Sequence, residues 1–325
     1  MKNGAEQADM HGRVEEMPKV EVVDNFEWQR DIRLLDFLDN VGVQMRLSSM
    51  LSREGVQKRL ASPAGMSFTE FTYQLLQGYD FYHLYRTRNC AMQIGGSDQW
   101  GNILSGVEMV GKLSDGEVTG MTFPLLTVAN GEKMGKSAGN AVWLDGRMTS
   151  PFDLYQYFVR LADTDAQRLL PMMTFISDDN VSALNEQKPE QRPLQKALAE
   201  EVTAFVHGQA AVKDAIRATR LLFDCYEDVF INPTDRELLS RTLRESQRHL
   251  VMSSQDLSVL SILGVLRRLM PDSSNNSLRS LASSGGIYIN GQRVGNLHSA
   301  ASPLMDKSCF VRLGRHTHFL IETTM

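Results

Sequence analysis

The sequence predicts an α/β chain, with a parallel-sheet body followed by a run of helices and a small mixed module. Three observations carry that expectation. A strand candidate at residues 90–94 runs into Gly95-Gly96-Ser97-Asp98 and then a helical pattern through Ile103, Val107 and Val110. Strand, glycine turn and helix form the βα unit of a parallel sheet, which places a ligand crevice at the carboxyl end of the strand. From about residue 150 to 269 nearly every segment has helical period, with Leu194, Leu198, Val202, Ala211, Ile216 and Leu221 on apolar faces. Finally, Ile287-Tyr288-Ile289, Asn290-Gly291 and Gln292-Arg293-Val294 read as a hairpin, because Asn-Gly accepts the positive φ of a type I′ turn.

The remaining elements follow in chain order. Residues 1–19 are polar and aperiodic and are expected to be irregular. Residues 20–23, three valines around Glu21, read as a short strand ending at Asp24 and Asn25. Ile32, Leu35 and Leu38 then mark one face of a helix. Ser150 as N-cap, Pro151 in the first turn and Asp153 beside the dipole open the helical region. A short helix at 277–284 stops at Gly285-Gly286. Strands at 310–313 and 319–321, joined at Gly314-Arg315, close the chain. The expected bodies are therefore a sheet-based one at 20–148, a helical one at 149–270 and a mixed one at 271–325.

Composition narrows the function. The 325 residues are 42% hydrophobic and 22% charged, as in an ordinary soluble globular protein. A formal charge of -5 excludes a globally basic nucleic-acid binder, so any RNA contact depends on a local cluster of Lys and Arg. Cys90, Cys225 and Cys309 are too scattered for a metal knuckle or a disulfide framework, and no tightly held metal is expected. No apolar run approaches the ~18 residues of a membrane span.

Three motifs carry chemistry. Tyr73, Gln77 and Asp80 recur at spacings of four and three, on one helix face among Phe71, Leu75, Leu76 and Phe81. Spacing alone leaves a solvated face as the default. A buried polar stripe of this kind would need partners. A zwitterionic amino acid with a phenol is one candidate, its ammonium on Tyr73 and Gln77 and its hydroxyl on Asp80. The second motif is the decapeptide Gln93-Ile94-Gly95-Gly96-Ser97-Asp98-Gln99-Trp100-Gly101-Asn102. Its glycines let a ligand approach the backbone at a strand end. Asp98 suits ribose hydroxyls, and Gln99 suits a carboxyl or carbonyl group. The third is Lys133-Met134-Gly135-Lys136-Ser137, where two lysines flank a glycine in a loop. Such charges are worth most where negative charge develops in phosphoryl chemistry.

Taken together and in this order, the motifs resemble those of bacterial and mitochondrial tyrosyl-tRNA synthetases, which are class I enzymes. The resemblance runs through Ala141-Val142-Trp143-Leu144, Thr149-Ser150-Pro151 and Val206-His207-Gly208, and resumes in the carboxyl-terminal hairpin. It implies the second half of a Rossmann-like catalytic domain, an α-helical anticodon-binding domain and a small α+β S4-like RNA-binding domain. It also implies that Tyr73, Gln77, Asp80 and Gln93 hold tyrosine, with Gln99 near the carboxylate. Tyrosyl-tRNA synthetase is itself the standing example of rejecting phenylalanine through a site built for the hydroxyl, so that role for Asp80 is taken over from the family. Gly96 and Asp98 would lie against ribose, Leu126 would offer backbone to adenine, and Lys133, Lys136 and Ser137 would meet the phosphates of Mg²⁺-bound ATP. Arg279 and Arg293 would contact RNA. Implied partners are tRNA(Tyr), L-tyrosine, ATP and a second copy of the chain, in a mitochondrial matrix or a bacterial cytoplasm.

One departure stands out. The family's first motif, His-x-Gly-His, has no match, since His11-Gly12 is followed by Arg13. The expectation is a half sheet with an exposed edge and core face, poorly active and of low stability on its own. Two other readings stay open: the tryptophanyl sibling, which Asp80 and the Tyr73/Gln77 stripe disfavour, and a form that binds structured RNA without aminoacylating it.

Overall fold

A computed structural model of the chain describes residues 19–127, 134, 141–301, 308–314 and 316–324. Packing divides them between two compact units, one within 17–134 and one within 135–325.

The first unit opens with short helices: α1 (Phe26–Gln29), α2 (Leu34–Asn40), α3 (Leu47–Leu51) and α4 (Glu54–Leu60). A long helix, α5 (Phe68–Arg88), follows. Its start is a capping box: Ser67 accepts the Glu70 N–H and Glu70 accepts the Ser67 N–H, which satisfies two orphan amide donors reciprocally. Asn89, at φ 53°, ends it in the left-handed conformation. Strand β1 (Met92–Gly96), α6 (Trp100–Ser114) and β2 (Thr119–Phe123) complete the predicted βα unit. The two strands pair in parallel, with Ile94 opposite Met121 and Gly96 opposite Phe123.

Helix α6 packs on one face of this sheet, where Gly120 makes room for Ile103; a Cβ there would lie 2.5 Å from Ile103 Cγ2. The other face is open: Ile94 is 57% exposed and Phe123 55%, with Met92 and Met121 beside them. Parallel sheets are normally covered on both faces, whereas this one leaves apolar side chains of its second face exposed. Residues 20–23 do not form the predicted strand. They run without regular structure and pair with neither strand of the β1–β2 sheet. Glu21 is instead held by Arg88. Leu34, Leu35 and Leu38 of α2 are also exposed.

The second unit begins with helices α7 (Pro151–Val159), α8 (Asp163–Met173), α9 (Asp178–Asn185), α10 (Pro193–His207), α11 (Gln209–Phe223), α12 (Asp228–Ile231) and α13 (Pro233–Glu245). Ser150 caps α7 as the sequence predicts, accepting the Asp153 N–H. The helical run ends sooner than its period suggests. Gln247 takes a positive φ of 55°, and β3 (His249–Ser253) follows. After α14 (Ser254–Val259), α15 (Ile262–Leu269) and α16 (Asn275–Ser283) come β4 (Ile287–Ile289), β5 (Gln292–Arg293), β6 (Ser308–Leu313) and β7 (Thr317–Thr324). The sheet order is β3-β7-β6-β4-β5, with β3 parallel to β7 and the rest antiparallel. The hairpin turn is as predicted, with Asn290 at φ 48° and Gly291 at 78°.

Alternating residues send the two faces of this sheet to different cores. Phe310 and Leu320 join Phe152, Leu221, Leu239 and Leu243 of the helices. Val311 and Ile321 join Ile262, Leu266 and Leu278 on the other side. Arg248 to Asp153 at 2.8 Å and Arg244 to Glu322 at 2.7 Å add ion pairs across the junction. The described residues between 141 and 324 thus form one body in which helices and sheet share side chains.

Candidate active site

Helix α5 carries the first motif. Tyr73 is half exposed, while Gln74 and Gly78 on the neighbouring face are buried against α6. Gln77 is partly buried, and its Oε1 has no hydrogen-bond partner. The same holds for Gln93 Oε1 on β1. Buried amide carbonyls without donors are costly in a finished protein, and an ammonium group is one donor that could satisfy such an oxygen.

Asp80 is engaged already. Its Oδ1 accepts Trp28 Nε1–H at 2.8 Å and Gln29 Nε2–H at 2.6 Å, and its Oδ2 accepts Asn25 Nδ2–H at 3.0 Å. Two ionised oxygens offer about four acceptor sites, so three donors leave room for one more, such as a phenolic hydroxyl. Trp28 is itself fixed by stacking on His83, with ring centroids 4.5 Å apart. Next to Asp80, burial and then the neighbouring Tyr82 and Asp80 raise the Tyr79 phenol above its ordinary pKa. Sequence reasoning missed Asn25, Trp28 and Gln29. Their only signal was the Asp24-Asn25 turn, since nothing in local spacing links them to a residue more than fifty positions away.

The second motif folds as β1, one 3₁₀ turn at Ser97–Gln99, and α6. Gly96 has no space for a side chain: a Cβ would stand 2.8 Å from Asp98 Oδ1 and 2.9 Å from Leu125 Cδ2. The Asp98 carboxylate therefore bends back over the strand end, and Gly96 keeps the backbone there bare. Asn102 Nδ2–H donates to Gln99 Oε1 at 3.2 Å, orienting the Gln99 amide. A cavity of about 600 Å³ brings Tyr73 and Asp98 together with Arg53, Gln74 and Gly101. Gln77, Asp80, Gln93 and Gln99 do not line it.

Leu126 accepts the Met134 N–H through its carbonyl at 2.8 Å, so that part of its backbone is already used. Lys133, Lys136 and Ser137 lie outside the described residues. In the second unit Arg279 and Arg293 are both exposed. The Arg293 guanidinium sits over Gly285, where a Cβ would meet it at 2.2 Å, at the end of the helix that bears Arg279. Arg312 also belongs to the carboxyl-terminal module, but it stacks at 4.0 Å on the Tyr288 ring and packs near Tyr226. Its charge is turned into the protein.

The profile of the tRNA synthetases class I (W and Y) matches residues 7–224. The mitochondrial tyrosine–tRNA ligase of Drosophila melanogaster is 39% identical over 93% of this chain and 66% of its own length. Tyrosine–tRNA ligase 2 of Enterococcus faecalis is 36% identical over 93% of this chain and 71% of its own. A crystal structure of a C-terminally truncated mitochondrial tyrosyl-tRNA synthetase from Aspergillus nidulans is 38% identical, with a TM-score of 0.51 over 61% of this chain and 57% of that one. The chain thus spans about two thirds of the length of the curated relatives it matches. The profile covers most of the chain, and the identities are well above those at which only a fold is shared. The chain belongs to the class I tRNA synthetases of the tryptophan and tyrosine family, among the tyrosine–tRNA ligases.

Proposed function

We propose that this chain acts in tyrosine–tRNA ligation, binding L-tyrosine and the nucleoside of Mg²⁺-bound ATP in its first unit and tRNA(Tyr) through its second. The observation that carries the reading is the pair of unpartnered carbonyls, Gln77 Oε1 and Gln93 Oε1, in the same unit as the donor-lined Asp80. They suit the two ends of tyrosine, its ammonium and its phenol. Tyr73 and Gln99 complete the amino-acid side. Gly96, Asp98 and Leu126 take the nucleoside, and Lys133, Lys136 and Ser137 the phosphates.

In the first step a tyrosine carboxylate oxygen attacks the α-phosphorus of ATP, and pyrophosphate leaves with the electrons of the broken P–O bond. In the second, the terminal hydroxyl of tRNA attacks the tyrosyl carbonyl and AMP leaves. The work of the protein here is to place the reactants and stabilise developing charge. The helices of the second unit would meet the anticodon end, with Arg279 and Arg293 on the RNA side of the S4-like module. A mitochondrial setting fits the mitochondrial relatives, and pairing with a second copy is what the family resemblance implies. The open β1–β2 face favours one second reading, in which the chain binds structured RNA without forming adenylate. Incubation with labelled ATP and tyrosine separates the two: tyrosine-dependent release of pyrophosphate supports the ligase, and RNA binding without it supports the binder.

A further inference from the structure

Helices α5 and α6 meet through small residues. A Cβ on Gly78 would lie 3.2 Å from Ser105 Cβ and 3.3 Å from Gly106 N, and one on Gly106 would lie 2.7 Å from Phe81 Cδ1. Such a contact sets how closely the helices approach. Phe81 seats over Gly106 and Met109 over Gly78, so the apolar packing fixes the spacing, and a polar tie can add to what fixes the axial register. The site depends on that register, because α5 carries Tyr73 and the turn leading into α6 carries Asp98.

Arg53, just before α4, bridges the two helices. Its Nη1 donates to Gln74 Oε1 on α5 at 2.6 Å, to the Gly101 carbonyl in the first turn of α6 at 2.8 Å, and to Ser105 Oγ. Its Nη2 faces Glu108 at 3.8 Å. Gln74 is buried, and its Nε2–H donates to the Phe71 carbonyl at 3.1 Å, so it has little freedom to turn away. The Arg53 side chain is 14% exposed. One guanidinium therefore ties the residue beside Tyr73 to the turn that follows Asp98, and it lies in the wall of the cavity those two residues share. A lysine ammonium ends one bond nearer the backbone and has no second nitrogen for Glu108, so it would keep only part of this set.

We propose that Arg53 is a positioning residue, which sets the axial register of α5 against α6 and so holds Tyr73 and Asp98 at the separation that tyrosine and ATP require. This rests on the ligase reading above. The test compares the chain with Arg53→Met, Arg53→Lys and, as a control for lost charge in the same unit, Arg33→Met, at an exposed position outside the cavity. L-tyrosine and ATP affinities are measured calorimetrically, and amide exchange is followed by mass spectrometry. In both Arg53 variants the two affinities are expected to fall together, at least tenfold in Arg53→Met, with faster exchange confined to residues 73–80 and 97–102. Arg33→Met is expected to match the parent. Unchanged affinities in a folded Arg53→Lys, or faster exchange spread evenly through the unit, would overturn the proposal and leave Arg53 a general stabiliser. If the parent chain binds neither ligand, the ligase reading fails. The register role is then decided by exchange alone, where unchanged rates at both segments count against it.

Discussion

Trp28 donates its indole N–H to Asp80 at 2.8 Å while its ring lies stacked on His83, 4.5 Å away and 11° from parallel. The stack fixes the ring and the ring fixes the donor, so the carboxylate is aimed before any ligand arrives. Trp28→Phe keeps the stack and removes the donor. A neutral donor to a charged acceptor is worth about 1.5–3 kcal/mol. Because Asn25 and Gln29 remain, the expected loss in tyrosine affinity lies near the lower end, on the order of tenfold, with ATP affinity unchanged. Titration calorimetry of the two ligands checks it.

Gly96→Ala tests the nucleotide side. The added methyl would meet Asp98 Oδ1 and Leu125 Cδ2 inside normal contact distance, so the carboxylate must swing away from the strand end. ATP affinity is expected to fall at least tenfold while tyrosine affinity stays within twofold. Equal loss of both would mean that the turn is a folding element and no nucleoside subsite.

Phe310 is buried between the sheet and the helices, among Leu221, Leu239 and Leu243, with Arg236 over its ring. Truncating a buried Phe to Ala costs about 3–5 kcal/mol. Because this residue serves both layers, Phe310→Ala is expected to shift one common unfolding transition of residues 141–324. Separate denaturation of helix and sheet signals in the parent would argue against a single body.

His318 sets an acid limit on the same body. It is 1% exposed, and burial, followed by the charges of Arg312 and Arg248, pushes its pKa down to about 4. Protonation is disfavoured in the folded state, so this group's contribution is complete above pH 6.5 and is lost as pH falls toward 4. The gap corresponds to on the order of 3 kcal/mol. Thermal melts from pH 7 to 4 are expected to show a steep loss in the parent and a shallower one in His318→Phe. Parallel curves would contradict the assignment.

Local pattern made much of this legible. The α5 stripe, the glycine turn after β1, the Ser150 cap and the Asn290-Gly291 turn all depend on residues within one or two turns of each other. Long-range pairing was not legible. Residues 20–23 have strand composition and no strand partner, whereas β3 becomes a strand because β7, some seventy residues later, lies alongside it. Likewise, nothing near Arg312 in the chain marks it for stacking on Tyr288, which follows from the pairing of β4 with β6. The Trp28–Asp80 contact joins positions 52 residues apart and leaves no periodic trace.

The central claim is that α5 and β1 form a receptor for tyrosine, built around Asp80 and the open carbonyls of Gln77 and Gln93. Calorimetric titration of the chain with L-tyrosine and L-phenylalanine tests it most directly. The account predicts saturable binding of tyrosine, far weaker binding of phenylalanine, and loss of that preference in Asp80→Asn. Equal affinity for the two amino acids, or a preference that survives Asp80→Asn, would contradict it.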